Sequence, residues 1–178
     1  TDTTIRRLEM LGTLSLQGKR INGLLRLMEN PILWEQAYAN IHANKGAATP
    51  GSDGSSLDGT SKERFARLIA AVKSGDYRFT PVRRVHIPKS NGKTRPLGIP
   101  SGDDKLVQEV VRMLLAKIYE PAFSEDSHGF RKGRSCHTAL VQVKQKWTGI
   151  KWIVNMDIKG FFDNIDHDVL VEILKERI

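Results

Sequence analysis

The sequence predicts an α+β chain, mostly helical, with a basic β-hairpin near its middle. Three observations carry that expectation. Apolar residues recur at three- and four-residue spacing through most of the chain, as they do on one face of a helix. Residues 82–88 and 93–99 alternate in character around Ser90-Asn91-Gly92, the pattern of two strands joined by a tight turn. Further on, the apolar run of Ile153, Val154, Met156 and Ile158 predicts a strand over 151–158.

Composition bounds the rest. At 178 residues, 39% hydrophobic and 27% charged, the chain can bury a core and is not compositionally disordered. No apolar run approaches the ~18–20 residues of a membrane span, and no secretory pattern opens the sequence. The single cysteine, Cys136, excludes an internal disulfide framework and a cysteine cluster for zinc. These features predict an intracellular protein with no membrane partner. Thr1 at the start and a helical pattern running into Ile178 predict a piece of a longer protein.

The net charge of +8 is not spread evenly. Residues 61–100 hold 10 basic and 2 acidic residues, whereas 1–60 hold 6 of each and 101–178 hold 12 of each. A localised excess of cations is the footprint of a polyanionic partner.

Taken in order, 4–17 predicts a helix with Ile5, Leu8, Leu11 and Leu16 on one side, and Leu24, Leu25, Leu27 and Met28 give a second apolar face. Asn30-Pro31 reads as a cap followed by proline at the first helical position, and Leu33, Trp34, Ala37 and Ile41 form the next stripe. The Gly-, Ser- and Asp-rich stretch 46–59 is either a flexible linker or an ordered loop lying on phosphates. Thr60-Ser61-Lys62-Glu63 is a capping-box pattern, Phe65, Leu68, Ile69 and Val72 follow at helical spacing, and Gly75 supplies the stop.

In the hairpin, Arg83, Val85 and Ile87 share one face and Val82, Arg84 and His86 the other. Pro96 implies an edge or irregular strand. From Arg78 to Arg95 there are six cations (Arg78, Arg83, Arg84, Lys89, Lys93 and Arg95) and no acid. Such a ribbon can lay several charges along phosphates. His86 reads as a surface histidine, because no second metal-ligating side chain sits near it in sequence.

Ser101-Gly102-Asp103-Asp104 reads as a second capping box opening the longest helix, 103–119, whose wide face of Leu106, Val107, Val110, Val111, Leu114, Leu115 and Ile118 makes it central. Pro121 ends it. In the loop 122–134, Phe130 stands among Gly129, Arg131, Lys132, Gly133 and Arg134, a set suited to base stacking plus phosphate contact. Phe130 tucked into the core is the open alternative. Ser135 caps a helix with Ala139, Leu140, Val143 and Trp147 on one stripe, and Cys136 in its first turn reads as structural. The strand 151–158 then carries Asp157, followed by Lys159-Gly160, Phe161-Phe162 and three more acids, Asp163, Asp166 and Asp168. A carboxylate at a strand end beside a glycine suits a magnesium–phosphate site. A last helix from 167 has Val169, Leu170, Ile173 and Leu174 as its apolar face, with Asp166 or its neighbours as caps.

Four of these stretches, in this order and spacing, resemble group II intron-encoded reverse transcriptases (intron maturases): KGAATPGSDG with SLDG over 45–59, PVRRVHIPKSNGKTRPLGIP over 81–100, SHGFRKGRSCHTAL over 127–140 and NMDIKGFFDNIDHDVL over 155–170. The resemblance implies three segments: an N-terminal extension of helices with an RNA-facing loop (1–75), fingers with the basic hairpin (76–150), and the start of a palm with the first catalytic aspartate (151–178). It implies that Asp157 and the Ile158 carbonyl hold Mg²⁺, and that Phe162 is the residue that disfavours a ribose 2′-hydroxyl. Lys89 and Arg95 would grip the nucleotide triphosphate, with backbone N–H groups from Lys159, Gly160, Phe161 and Phe162 completing the cradle. Arg131 and its neighbours Phe130, Lys132 and Arg134, with Arg78, Arg83, Arg84 and Lys93 of the basic block, would face RNA.

The implied function is RNA-directed DNA synthesis on intron RNA, with RNA binding that assists splicing, in a bacterial cytoplasm. The implied partners are the intron RNA, an RNA template, a DNA primer and dNTP. The second catalytic motif of the family, Tyr-Ala-Asp-Asp, does not occur in these residues, so this polypeptide alone is expected to bind RNA without polymerising. The alternatives are an RNA-binding splicing module, a reverse transcriptase of another bacterial lineage, and an interaction module whose first helices form a homodimer contact.

Overall fold

A computed structural model describes residues 2–178. Seven helices and one two-stranded antiparallel sheet are present among the described residues: α1 (Asp2–Leu16), α2 (Leu24–Met28), α3 (Pro31–Ile41), α4 (Lys62–Ser74), β1 (Arg83–Pro88), β2 (Thr94–Ile99), α5 (Gly102–Tyr119), α6 (Cys136–Lys146) and α7 (His167–Lys175). Short 3₁₀ turns follow α5 at Glu120–Ala122 and precede α7 at Phe162–Asn164. None of the described helices is long and apolar enough to cross a membrane.

The residues form two compact units, one of Gly23–Lys117 with the stretch up to Met10, the other of Leu11–Asn22 with Ile118–Ile178. The first unit has a well-formed core. Leu27, Leu33, Trp34, Ala37, Phe65, Leu68, Leu106, Val107, Val110 and Leu114 are all buried, so the stripes predicted for α3, α4 and α5 pack, except for Val111 of α5, which is exposed. Full burial of a leucine such as Leu33, Leu68 or Leu106 is worth about 1.5–3 kcal/mol. Trp34 also satisfies its indole, Nε1 donating to the Met28 carbonyl at 2.7 Å. Asn30 caps α3 by accepting from the Ile32 N–H at 3.0 Å, with Pro31 at the first position. Gly75 ends α4 at φ 78°, where a side chain would be strained.

Two capping details differ from the sequence expectation. Ser61, not Thr60, is the cap of α4, its hydroxyl accepting from the Arg64 N–H. Thr60 instead donates to the Leu57 carbonyl at 2.6 Å. The loop 46–59 makes its own use of that hydroxyl, which the pattern of four residues cannot reveal. In α5, Ser101 accepts from the Asp104 N–H at 3.1 Å, but the Asp104 carboxylate turns to other partners described below.

The loop 46–59 is a folded element rather than a linker. Ala47 and Leu57 are buried, and the Leu57 N–H reaches the Ala47 carbonyl at 3.1 Å. Lys105 from α5 donates to the Gly46 and Thr49 carbonyls at 2.9 and 2.6 Å, and Arg64 from α4 donates to the Ser56 carbonyl at 2.9 Å. The loop lies so close to the start of α5 that a Cβ on Gly102 would stand 2.0 Å from the Ser56 carbonyl oxygen. Gly102→Ala is therefore expected to lower stability by about 1–3 kcal/mol, read as a lower urea midpoint at an unchanged slope.

The second unit contains α6, α7 and the stretch between them. In it Leu11, Ile21 and Ile118 are buried, Ser15 donates to the Ile118 carbonyl, and the Ile21 N–H meets the Arg177 carbonyl at 2.7 Å. The strand predicted over 151–158 is not formed. Among the described residues the only sheet is β1–β2, so no strand runs alongside 151–158 to accept its ladder. The run has no regular secondary structure, and Trp152, Val154 and Met156 are each about four-fifths exposed or more (86%, 79% and 86%). An apolar run encodes a wish to be covered. It does not encode the neighbour that covers it.

Candidate nucleic-acid interface

The hairpin forms in the register that its turn residues imply. Arg83 pairs with Ile99, Val85 with Leu97, Ile87 with Arg95 and Pro88 with Thr94. The Lys89 N–H donates to the Lys93 carbonyl at 2.6 Å across the turn, and Gly92 takes φ 76°. Cross-strand partners share a face, so Arg83 and Arg95 stand with Val85, Ile87 and Leu97, while Arg84 and His86 stand on the other side. Lys89 and Arg95 both sit at the turn end, Arg95 facing a residue two positions before Lys89.

The six cations of this region divide by what they touch. Arg78 donates to the Gly75 and Tyr77 carbonyls at 2.6 and 2.9 Å, closing the end of α4. Arg83 donates to the Pro50 carbonyl at 3.0 Å and so ties β1 to the loop 46–59. A second tie runs from the Ser52 hydroxyl to the Pro81 carbonyl. Arg84, Lys89, Lys93 and Arg95 have no ion pair or side-chain hydrogen bond among the described residues and lie in exposed positions. Four unpartnered cations on one ribbon with no acid are suited to a polyanion.

The base of the hairpin is held by Asp104, 1% exposed at the start of α5. Its carboxylate accepts from the Tyr77 hydroxyl at 2.6 Å, the Thr80 N–H at 3.1 Å and the Thr80 hydroxyl at 2.5 Å. Burial works to raise its pKa, but the hydrogen bonds from Thr80, Tyr77 and Ser101 outweigh that and hold the carboxyl below its ordinary range. Tyr77 is pushed well above the usual phenol value, by burial first and then by its bond to Asp104. Beside it, Asp103 pairs with Arg64 and Arg67, each at 2.7 Å. Neither Asp104 nor Lys105 stood out in the sequence. An acid at the third residue of a capping pattern reads as a cap, and its partners lie 24 and 27 positions away.

In the second unit, the turn after Asp157 is closed by the Gly160 carbonyl. It accepts from the Asp163 and Asn164 N–H groups, both at 3.1 Å, and from Asn164 Nδ2 at 2.8 Å. Gly160 takes φ 62°. Phe161 and Phe162 meet edge to face, with centroids 5.6 Å apart, and Phe162 is 85% exposed. Among the described residues the N–H groups of Lys159, Gly160 and Phe161 are given to no acceptor. Asp166 caps α7, accepting from the Asp168 and Val169 N–H groups at 2.9 and 3.2 Å, as expected for that acid. Asp157 is exposed. No three His, Cys, Asp or Glu side chains among the described residues converge as a metal cluster. The donors here, one carboxylate and the Ile158 carbonyl, are hard oxygens of the kind magnesium takes, in a number that makes only part of its shell.

Arg131, which the resemblance put along RNA, is directed inward. It donates to Glu120 Oε1 and the Ser124 carbonyl, both at 2.7 Å, and to the Ser127 carbonyl at 2.9 Å. Phe130 is not in a core. It is exposed, and so is Lys132.

Comparison with known proteins adds an independent finding. Residues 87–178, about half of the chain, match the family described as reverse transcriptase (RNA-dependent DNA polymerase). The chain is 48% identical over 156 residues to the group II intron-encoded protein LtrA of Lactococcus lactis subsp. cremoris, which covers 87% of this chain and 26% of that protein. It is 45% identical over 142 residues to a 91 kDa protein in the cob intron of Schizosaccharomyces pombe, covering 80% of this chain and 18% of that one. It is 40% identical over 157 residues to a COX1/OXI3 intron 1 protein of Saccharomyces cerevisiae, covering 88% and 19%. The chain thus spans about a quarter or less of the length of these relatives.

Proposed function

The chain belongs to the reverse transcriptase (RNA-dependent DNA polymerase) family, among the intron-encoded proteins, and from that premise we propose that it serves RNA-directed DNA synthesis on a group II intron RNA. The observation that carries the reading is the β1–β2 ribbon, with Arg84, Lys89, Lys93 and Arg95 exposed and unpartnered among the described residues. Three functional segments follow: the extension (1–75), the fingers (76–150) and the start of the palm (151–178).

Lys89 and Arg95, at the turn end of the ribbon, take the triphosphate of the incoming nucleotide. Arg84 and Lys93 take RNA phosphates, as do Lys132 and Arg134 of the second unit. Arg78 and Arg83 act through the protein, holding the ribbon and the end of α4. Asp157 and the Ile158 carbonyl would hold Mg²⁺, which when bound stabilises the attacking 3′-oxygen and the leaving pyrophosphate. The free N–H groups of Lys159, Gly160 and Phe161 suit phosphate oxygens. Phe162, exposed beside them, would test the sugar by its bulk. The same RNA contacts serve splicing of the parent intron, inside the cell.

Two outcomes test this. The chain is expected to bind intron RNA with an affinity that falls steeply with salt. Arg84→Gln with Lys93→Gln should flatten the log–log slope by roughly 0.7–0.9 for each phosphate that is no longer neutralised. The chain alone should extend no primer. Binding that does not change between low and high salt would remove the basis of the reading.

A further inference from the structure

Phe130 is the sole residue other than glycine, among the described residues, with its backbone in the left-handed region, at φ 58°. Its relative exposure is 113%, so no part of the ring is packed. Both features are unfavourable for phenylalanine, whose Cβ crowds the backbone in that conformation and whose ring gains from burial. A conformation of this kind persists only where its surroundings impose it.

The surroundings do impose it. On one side, His128 Nε2 donates to Gln142 Oε1 at 2.8 Å, with the Gln142 amide oriented by its donation to Asp126. His128 Nδ1 lies 2.8 Å from Thr138 Oγ1. Both partners stand on α6. On the other side, Arg131 is about nine-tenths buried, at 10% side-chain exposure. Its donors are spent on Glu120, Ser124 and Ser127, and its guanidinium lies over the Phe123 ring at 5.4 Å. Gly133, at φ 74°, turns the chain back toward Ser135, the cap of α6. The two neighbours of the Gly129-Phe130 step are fixed, and the ring between them is aimed outward.

We propose that Phe130 is a stacking platform for an unpaired base of the bound RNA, and that Arg131 is a positioning residue that holds the platform out. The proposal deepens the nucleic-acid reading above and rests on it. Bases inside a duplex have both faces covered by their neighbours, so a lone exposed ring selects a base that is out of a helix. The immediate company of Phe130 is glycine and cation. Gly129 and Gly133 leave room for a flat partner, and Lys132 is exposed with no partner among the described residues. A protein partner using this ring as an apolar anchor would call for apolar neighbours, whereas the residues beside it from Gly129 to Arg134 are glycine and cation.

The test uses a short single-stranded RNA carrying one 2-aminopurine, and the same strand annealed to its complement. The chain is expected to quench the fluorescence of the single strand and not of the duplex. Phe130→Ala should lose the quench and weaken single-strand binding by roughly 5- to 150-fold, with the salt slope unchanged. Phe130→Trp should keep both. Phe130→Gly should melt at a higher temperature, because it relieves the left-handed strain, and still lose the quench. Arg131→Lys keeps the charge and should nonetheless lose the quench as Phe130→Ala does. Quenching that survives Phe130→Ala, or that is equal on the duplex, would overturn the platform while leaving salt-dependent binding in place. Absence of any RNA binding by the parent chain would overturn the nucleic-acid reading and the platform with it.

Discussion

Asp157→Asn, in an intact polymerase that contains this chain, is expected to reduce DNA synthesis by roughly a thousandfold or more. The substitution keeps the shape of the side chain and removes its charge. Amide oxygen is a poor exchange for carboxylate when the group to be held is a divalent cation beside a triphosphate. Asp157 is exposed and takes part in no ion pair among the described residues, so the change should leave folding untouched. That separation makes the measurement decisive. Primer extension should collapse, the thermal midpoint should stay in place, and binding of intron RNA should persist. A protein that loses stability and RNA binding together would show that Asp157 holds structure instead.

Asp104→Ala is expected to cost about 3–5 kcal/mol, a large part of the roughly 5–15 kcal/mol that holds an ordinary domain together. The carboxylate is 1% exposed and accepts three hydrogen bonds from Tyr77 and Thr80. Its removal leaves those donors, on half-buried Tyr77 and Thr80, without their acceptor. Asp104→Asn is the milder version, because its amide oxygen keeps one acceptor even though its nitrogen sets a donor against a donor. The pH dependence has a definite sign. The folded carboxyl titrates below its ordinary value. The stability it adds is therefore present above the unfolded value of about 3.9, and is lost as pH falls through the lower folded value. Urea titrations of parent and Asp104→Ala should lie far apart at neutral pH and converge in acid. Equal spacing at both would mean that the carboxylate charge contributes nothing.

These two acids illustrate what can be read from a chain before its fold is known. Asp157 stands out as a candidate because its neighbours are local: an acid, a glycine and an aromatic pair in one short stretch. The stripes of α3, α4 and most of α5, the Asn30-Pro31 start, the Gly75 stop and the hairpin register around Ser90-Asn91-Gly92 were legible because each is decided within a few residues, whereas the stripes predicted for α6 and α7 are largely exposed. Asp104 was not, because its role depends on Tyr77 and Thr80 arriving from another element. Arg131 looked like a surface cation, and only the path of the loop turns it toward Glu120, Ser124 and Ser127. The run 151–158 has the composition of a strand, yet pairing is a property of two segments, and among the described residues no second strand lies beside it. Phe130 carries no signal of its own for a left-handed backbone; the glycines around it hinted at an unusual turn without saying which residue would bear it.

The two ties between the hairpin and the loop, Arg83 to Pro50 and Ser52 to Pro81, have a mechanical consequence. Both lie at the root of the ribbon, and Asp104 clamps the approach to it. The tip, Lys89 to Lys93, is fastened to nothing but itself. The ribbon is thus a cantilever, stiff where it leaves the body and compliant at its free end. Of the four cations unpartnered among the described residues, Lys89 and Lys93 bound that tip and Arg95 lies beside it, while Arg84 lies near the root. A pull on the tip would load the root, where Arg83 and Ser52 join the ribbon to the 46–59 loop.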